Sequence, residues 1–177
     1  MRTKIKNYTV KEFFELPASK IDEYISILSL LEPEPTKHEL SSLKFREVEF
    51  IKQNINDDEK IHTIFCYIDE ICDLNGISII EFFGKYNFII ASLKKMIEVE
   101  KQHLEPNYPN LKWEAVNGSQ RLKELGVLPI VDNLAGGDPL KYEAILDLPY
   151  LTVFKKLKLD TLRSDLEHEM SKIKKEK

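Results

Sequence analysis

His62 and Cys66 stand four residues apart in a stretch whose apolar spacing predicts one helix, so both side chains leave the same face. That is the spacing at which a soft metal is held, but a zinc site takes about four such donors. No second Cys/His pair exists, and His38, His103 and His168 each stand among charged residues. Cys66 therefore reads as a small core residue beside Phe65 and Ile68. Cys66 and Cys72 are six residues apart on the same predicted helix, a turn of about 600° that points their side chains apart. No mutual disulfide is expected on that geometry, and a reducing compartment is the corresponding reading.

Nucleophilic chemistry has no better foothold. There is no GxSxG elbow, and neither cysteine falls at an electropositive helix start. Leu134-Ala135-Gly136-Gly137-Asp138-Pro139 sets two glycines ahead of a helix start, where a phosphate could be held. The charge of Asp138 would repel a phosphate, Pro139 removes a donor, and the spacing fits neither phosphate-loop pattern, so a turn is expected. The acidic runs Asp57-Asp58-Glu59 and Asp69-Glu70, and the pair Glu98 and Glu100, lack the apolar setting that would prepare a general acid. They read as solvated faces. The expectation is a non-enzyme with no catalytic residue, no metal site and no cofactor.

The elements around these residues are helical. A chain of 177 residues with 42% apolar and 32% charged residues suits one globular domain. With only 6 Gly, and four of the 8 Pro gathered at Pro33–Pro35 and Pro106–Pro109, long helices are allowed. No apolar run is long enough to cross a bilayer, and residues 1–20 lack a signal-peptide core. The fold class expected is all-α: an irregular bundle of short capped helices around a long central helix, with a long C-terminal helix. Residues 1–177 form the single domain; residues 1–31 are an N-terminal helical segment before a Pro/Glu linker at 32–36; residues 159–177 are a candidate projecting helix end.

Helix signals punctuate the chain. Thr9 and Glu12 make a capping box for a short helix that Pro17 ends. A second helix carries Ile21, Tyr24, Ile25 and Leu28 on one face, and residues 43–55 make a third. Asn56 and Glu59 are a cap pair for a helix carrying Ile61, Ile64, Phe65, Ile68, Ile71 and Leu74, with Gly76 as its stop. Ser78 and Glu81 cap the central helix, which runs to about Leu104 before Pro106 and Pro109. Short helices around Trp113, around Leu122 and Leu125, and over Pro129–Ala135 follow. Asp138 caps another with Pro139 at its first position, and Pro149 precedes a last helix over Tyr150–Lys174. The strings TVKEFFELP, SIIEFFGKY and DPLKYEAILDLP each begin on a cap residue; convergence of short capped helices is favoured over duplication.

The surface is left to carry function. Residues 1–20 hold five Lys/Arg against two acids and residues 155–177 eight against five, whereas the body between is acidic. On the last helix Leu159, Leu162, Leu166 and Ile173 follow three- and four-residue steps, broken once at Glu169, with Met170 in the same stripe. About two heptads of this kind suit packing against another helix. Leu159, Leu162, Leu166, Met170 and Ile173 are thus the candidate partner-binding residues, toward another protein or a second copy; the competing reading folds this helix back onto its own domain.

Trp113 and the stretch RLKELGVLPIVDNLAGGDPLKYEAILDLPYLTVFKKL from Arg121 resemble the C-terminal half of small helical tail-module proteins of tailed bacteriophages. The resemblance covers about residues 113–158. It implies a non-enzymatic tail-assembly or virion structural protein, with other phage morphogenesis or virion proteins as partners and self-association among its contacts. It places the chain in the host cytoplasm during assembly or in the virion; the lack of a long apolar run separately argues for no membrane partner. The alternative is a small regulatory binding module that contacts nucleic acid through its basic ends, the less favoured partner.

Overall fold

Backbone N–H groups in the first turn of a helix have no acceptor inside the helix, and this chain supplies side-chain acceptors at Thr9, Ser78 and Asp138, as its sequence predicts. The computed structural model describes residues 7–173. The helices are α1 (Val10–Phe14), α2 (Ala18–Leu28), α3 (Phe45–Asn54), α4 (Ile61–Asp69) and α5 (Ile79–Leu104). They are followed by α6 (Leu111–Ala115), α7 (Gly118–Lys123), α8 (Leu128–Ala135), α9 (Tyr142–Leu146) and α10 (Tyr150–Ile173), with 3-10 turns at Leu40–Ser42 and Pro139–Lys141. No strand occurs among the described residues, only two isolated antiparallel bridges. The fold is all-α, with long helices at α5 and α10.

The caps are local and strong. Thr9 Oγ1 accepts from the Glu12 N–H at 3.2 Å while Glu12 Oε2 accepts from the Thr9 N–H at 2.9 Å. Ser78 Oγ accepts from the Glu81 N–H at 3.1 Å, and Asp138 Oδ1 from the Leu140 N–H at 3.1 Å. Asn56 and Glu59 do not cap α4; Lys60 stands at its start, and Asp57 instead closes the preceding turn on the Glu59 N–H at 3.0 Å.

The chain divides into two compact units. The first is Met1–Leu40 with Phe50–Lys95, and the second is Ser41–Glu49 with Met96–Lys177. In the first unit the strings beginning at Thr9 and Ser78 lie side by side. The Val10 N–H donates to Ile77 O at 2.9 Å and the Ile79 N–H to Tyr8 O at 2.7 Å, a one-bridge antiparallel pairing of two helix starts. Phe13, Leu28, Ile64, Phe65, Ile68 and Ile79 are fully buried in this unit, and Phe13 sets its ring edge-on to Phe83 at 6.3 Å.

Residues 32–36, expected as a linker, lie inside this first unit and against α5. The Glu34 N–H donates to Gly84 O at 2.9 Å, and Asn87 Nδ2 to Leu31 O at 3.0 Å. A Cβ at position 84 would stand 3.1 Å from that of Glu34, so the glycine permits the close approach.

The end of α4 departs most from the sequence pattern. Periodicity carries the helix to Leu74 and Gly76, but it stops at Asp69, and Glu70 turns left-handed with φ 57°. Beyond that turn the chain doubles back until the Cys66 and Cys72 Cα atoms are 4.5 Å apart, and the two are disulfide-bonded. The expectation of diverging thiols fails because Cys72 is off the helix, and the reducing compartment inferred from it falls with it. Long-range polar contacts hold the break. Asp69 Oδ1 accepts from the Lys37 N–H at 2.6 Å, and Asp69 Oδ2 pairs with Lys85 Nζ. Glu70 pairs with Lys37 Nζ and, at 3.1 Å, His38 Nε2. Asp69 is therefore buried, contrary to its reading as a solvated acid. Burial works against the Lys85 ammonium, but the Asp69 hydrogen bond and charge outweigh it and raise its pKa. The hydrogen bonds from Lys37 and then His38 hold the Glu70 carboxyl below its ordinary range.

The second unit repeats the paired helix starts. The Phe45 N–H donates to Leu148 O at 2.8 Å and the Tyr150 N–H to Leu43 O at 2.9 Å, joining the starts of α3 and α10. Ion pairs flank the bridge: Lys44 Nζ with Asp147 Oδ1 at 3.0 Å, and Arg46 Nη2 with Glu143 Oε2 at 2.8 Å. Gly136 and Gly137, at φ 68° and 78°, close the C-terminus of α8, where the Gly137 N–H reaches Asp132 O at 3.0 Å.

Removing Asp69 strands a buried ammonium and the Lys37 amide. Asp69→Ala should cost about 3 kcal/mol in urea unfolding, whereas Asp69→Ala with Lys85→Met should recover more than half of that. Cys72→Ser opens a short ring of sequence separation 6 and should cost about 2 kcal/mol by chain entropy, read as the same loss in reduced and oxidised wild type compared under urea.

Candidate functional site

The C-terminal helix presents two opposite faces. α10 begins directly after Pro149, whose ring suits the turn ahead of a helix and ends α9. At 100° per residue, Tyr150, Val153, Phe154, Leu157, Thr161 and Asp165 share an arc of about 120°. Within that arc Tyr150, Val153 and Asp165 are buried, and Phe154, Leu157 and Thr161 are half-buried. Leu159, Leu162, Leu166, Met170 and Ile173 fall in an arc of about 80° on the far side. All five are exposed, from 41% at Leu159 to 64% at Ile173.

The inner face is fastened within the second unit along most of its length. Tyr150 Oη donates to Glu100 Oε1 at 2.7 Å, and burial, with that hydrogen bond, pushes its pKa far up. Thr161 Oγ1 donates to Leu104 O at 3.4 Å. Asp165 then takes the segment after α5: its carboxylate accepts from the Asn107 N–H at 3.1 Å and from Asn107 Nδ2 at 2.7 Å. One turn further on, His168 stacks on Tyr108 with centroids 4.4 Å apart, and Lys172 Nζ lies 4.5 Å over the same ring. The Glu169 charge and burial raise the Tyr108 pKa. The helix thus folds back onto its own unit by one face and leaves the five candidate partner-binding residues in water by the other. Lys174 to Lys177 lie outside the described residues, as do Met1 to Lys6, so the basic ends are described only in part.

A second exposed apolar group lies on α6 and just beyond the ends of α6 and α7, where Leu111, Val116 and Leu125 are exposed. Trp113, expected to anchor this region, is itself 43% exposed. Its ring lies on Gly118, where an added Cβ would come 2.3 Å from a ring carbon. Asn117 makes the left-handed turn between the two helices at φ 54°.

The remaining chemistry candidates are not brought together. His62 is exposed beside Thr63, with Oγ1 at 3.1 Å, while Cys66 is committed to its disulfide. Among the described residues no group of three or more His, Cys, Asp or Glu side chains is arranged to hold a metal. Two buried carboxylates escaped the sequence, Asp69 and Asp165. For Asp165 a signal existed, since an acid in phase with Phe154, Leu157 and Thr161 on a buried arc needs a partner. Asp69 offered none, because its partners lie on other elements.

Fold and site together define an all-α protein whose long last helix is packed on one face and open on an apolar other. No family model, curated protein or solved structure matches the chain. No helix among the described residues is long and apolar enough to cross a membrane.

Asp165→Ala should unfasten the outer half of α10 from Asn107 at a cost of about 2 kcal/mol. Hydrogen exchange should quicken at the Asn107 amide and along the last turns of α10, with Tyr150 and the α3–α10 bridge unaffected.

Proposed function

We propose that this chain is a non-enzymatic structural or assembly protein of a tailed bacteriophage, in the tail or head–tail module, that works through helix-to-helix contacts with other morphogenesis or virion proteins. The observation that carries the reading is the outer face of α10. Five large apolar side chains line one arc of a helix whose opposite arc is already fastened. Apolar surface gathered in one patch marks a contact surface more than scattered single residues do, and the three- and four-residue steps suit another helix. The phage class comes from the resemblance over residues 113–158, which includes α6 to α9 and the start of α10. The Cys66–Cys72 disulfide favours a place in the virion over a chaperone confined to the host cytoplasm, because disulfides persist at virion surfaces and are rare in a reducing cytosol.

Mass spectrometry of purified particles should find the chain in stoichiometric amount, with the peptides bearing Cys66 and Cys72 linked. Leu166→Glu, whose side chain is exposed and whose helix should remain folded, should cut incorporation at least tenfold. Wild-type chain missing from particles but bound to tail proteins in infected cells would make it an assembly factor instead. Absence from both sinks the proposal.

A further inference from the structure

The outer face of α10 also carries a charge pattern that selects a particular occupant. Its two flanks each hold one base and one acid, in the same order along the helix. Lys158 and Glu169 lie on one side of the leucine strip, Arg163 and Glu167 on the other, by the 100° advance per residue. Lys158, Arg163, Glu167 and Glu169 are exposed, and Glu169 accepts from the Tyr108 hydroxyl at 3.4 Å. Lys155 shares the angle of Ile173 but stands N-terminal of the segment Lys158–Met170, and the other neighbouring charges are engaged away from the strip, Lys172 over the Tyr108 ring. Asp160 holds Lys156 and Asp165 holds Asn107.

We propose that α10 pairs antiparallel with α10 of a second copy, about a twofold axis that crosses the leucine strip midway between Leu162 and Leu166, deepening the contact-face reading on which the proposed function rests. Antiparallel twofold pairing brings like flanks together, whereas parallel pairing brings opposite flanks together. Setting Leu162 against Leu166 of the second copy puts Leu159 against Met170. The same register places Lys158 beside Glu169 of the second copy and Arg163 beside Glu167. Twofold symmetry repeats each contact, giving four unlike pairs around a closed leucine seam. A parallel in-register pair would place Lys158 beside Arg163 of the second copy, base against base. Opposite charges across a helix seam set orientation more than strength, and here they set it one way. About two heptads make a small seam, so the dimer is a weak one that forms reversibly at micromolar concentration.

Sedimentation equilibrium of the full oxidised chain at low salt should show monomer and dimer exchanging with concentration. Leu166→Glu should weaken the dimer at least tenfold with unchanged helical circular dichroism. Lys158→Glu should weaken it about tenfold, by turning two attractive contacts repulsive, and adding Glu169→Lys should restore it. Parallel pairing requires the opposite sign, a tighter dimer with Lys158→Glu, and that result overturns the proposal. So does a wild-type chain that stays monomeric, or a dimer indifferent to Leu166→Glu. These outcomes are separable from the phage reading: a monomer whose Leu166→Glu variant is lost from particles removes self-pairing alone, and a dimer found neither in particles nor on tail proteins in infected cells removes the phage assignment alone.

Discussion

A first helical turn exposes amides that need an acceptor, and the most informative feature of this chain is where it finds them. Side-chain caps at Thr9, Ser78 and Asp138 satisfy some. Others are satisfied by pairing one helix start with another, Tyr8–Val10 with Ile77–Ile79 in the first unit and Leu43–Phe45 with Leu148–Tyr150 in the second. Each pairing is a single antiparallel bridge between segments far apart in sequence. It fixes where two helices begin relative to each other within their unit, and the apolar faces that follow must then pack. Without the bridges, short helices such as α1 would have too few residues to be stable, since an isolated helix of this length does not persist in water.

Buried carboxylates do a related job at helix ends and loops. Asp69, the last residue of α4, takes the Lys37 amide and the Lys85 ammonium. Asp165, midway along α10, takes the backbone and side-chain amides of Asn107. In both cases an acid on a helix captures the backbone of an irregular segment that would otherwise have unsatisfied donors. Buried acids of this kind arise in pairs with their donors, and neither half makes sense without the other. At α4 the consequence reaches further: with Glu70 turned left-handed, the chain reverses and brings Cys72 to Cys66.

The two faces of α10 follow from the same division of labour. Its inner arc is spent on Glu100, Leu104, Asn107 and Tyr108, which leaves the second apolar arc with no use inside the unit. A helix amphipathic on one side only would need no partner. One that is apolar on both sides, with its charges sorted along the flanks of the open side, has the composition of a shared seam.

Local signals were enough to place most of the helices. Thr9, Ser78 and Asp138 marked their caps, Pro106, Pro149 and Gly136 marked boundaries, and the three- and four-residue steps marked the candidate face at Leu159, Leu162, Leu166, Met170 and Ile173. Each of these depends on residues within about four positions of one another, the reach of a helical turn. What the amino-acid order did not reveal depends on distant groups: the early stop of α4, the disulfide, the burial of Asp69 and the docking of residues 32–36 on Gly84. The apolar run through Ile71 and Leu74 fits a longer helix equally well by period. Only the arrival of Lys37, His38 and Lys85 from other elements favours the break, and such contacts leave no trace in a window as short as a helical turn.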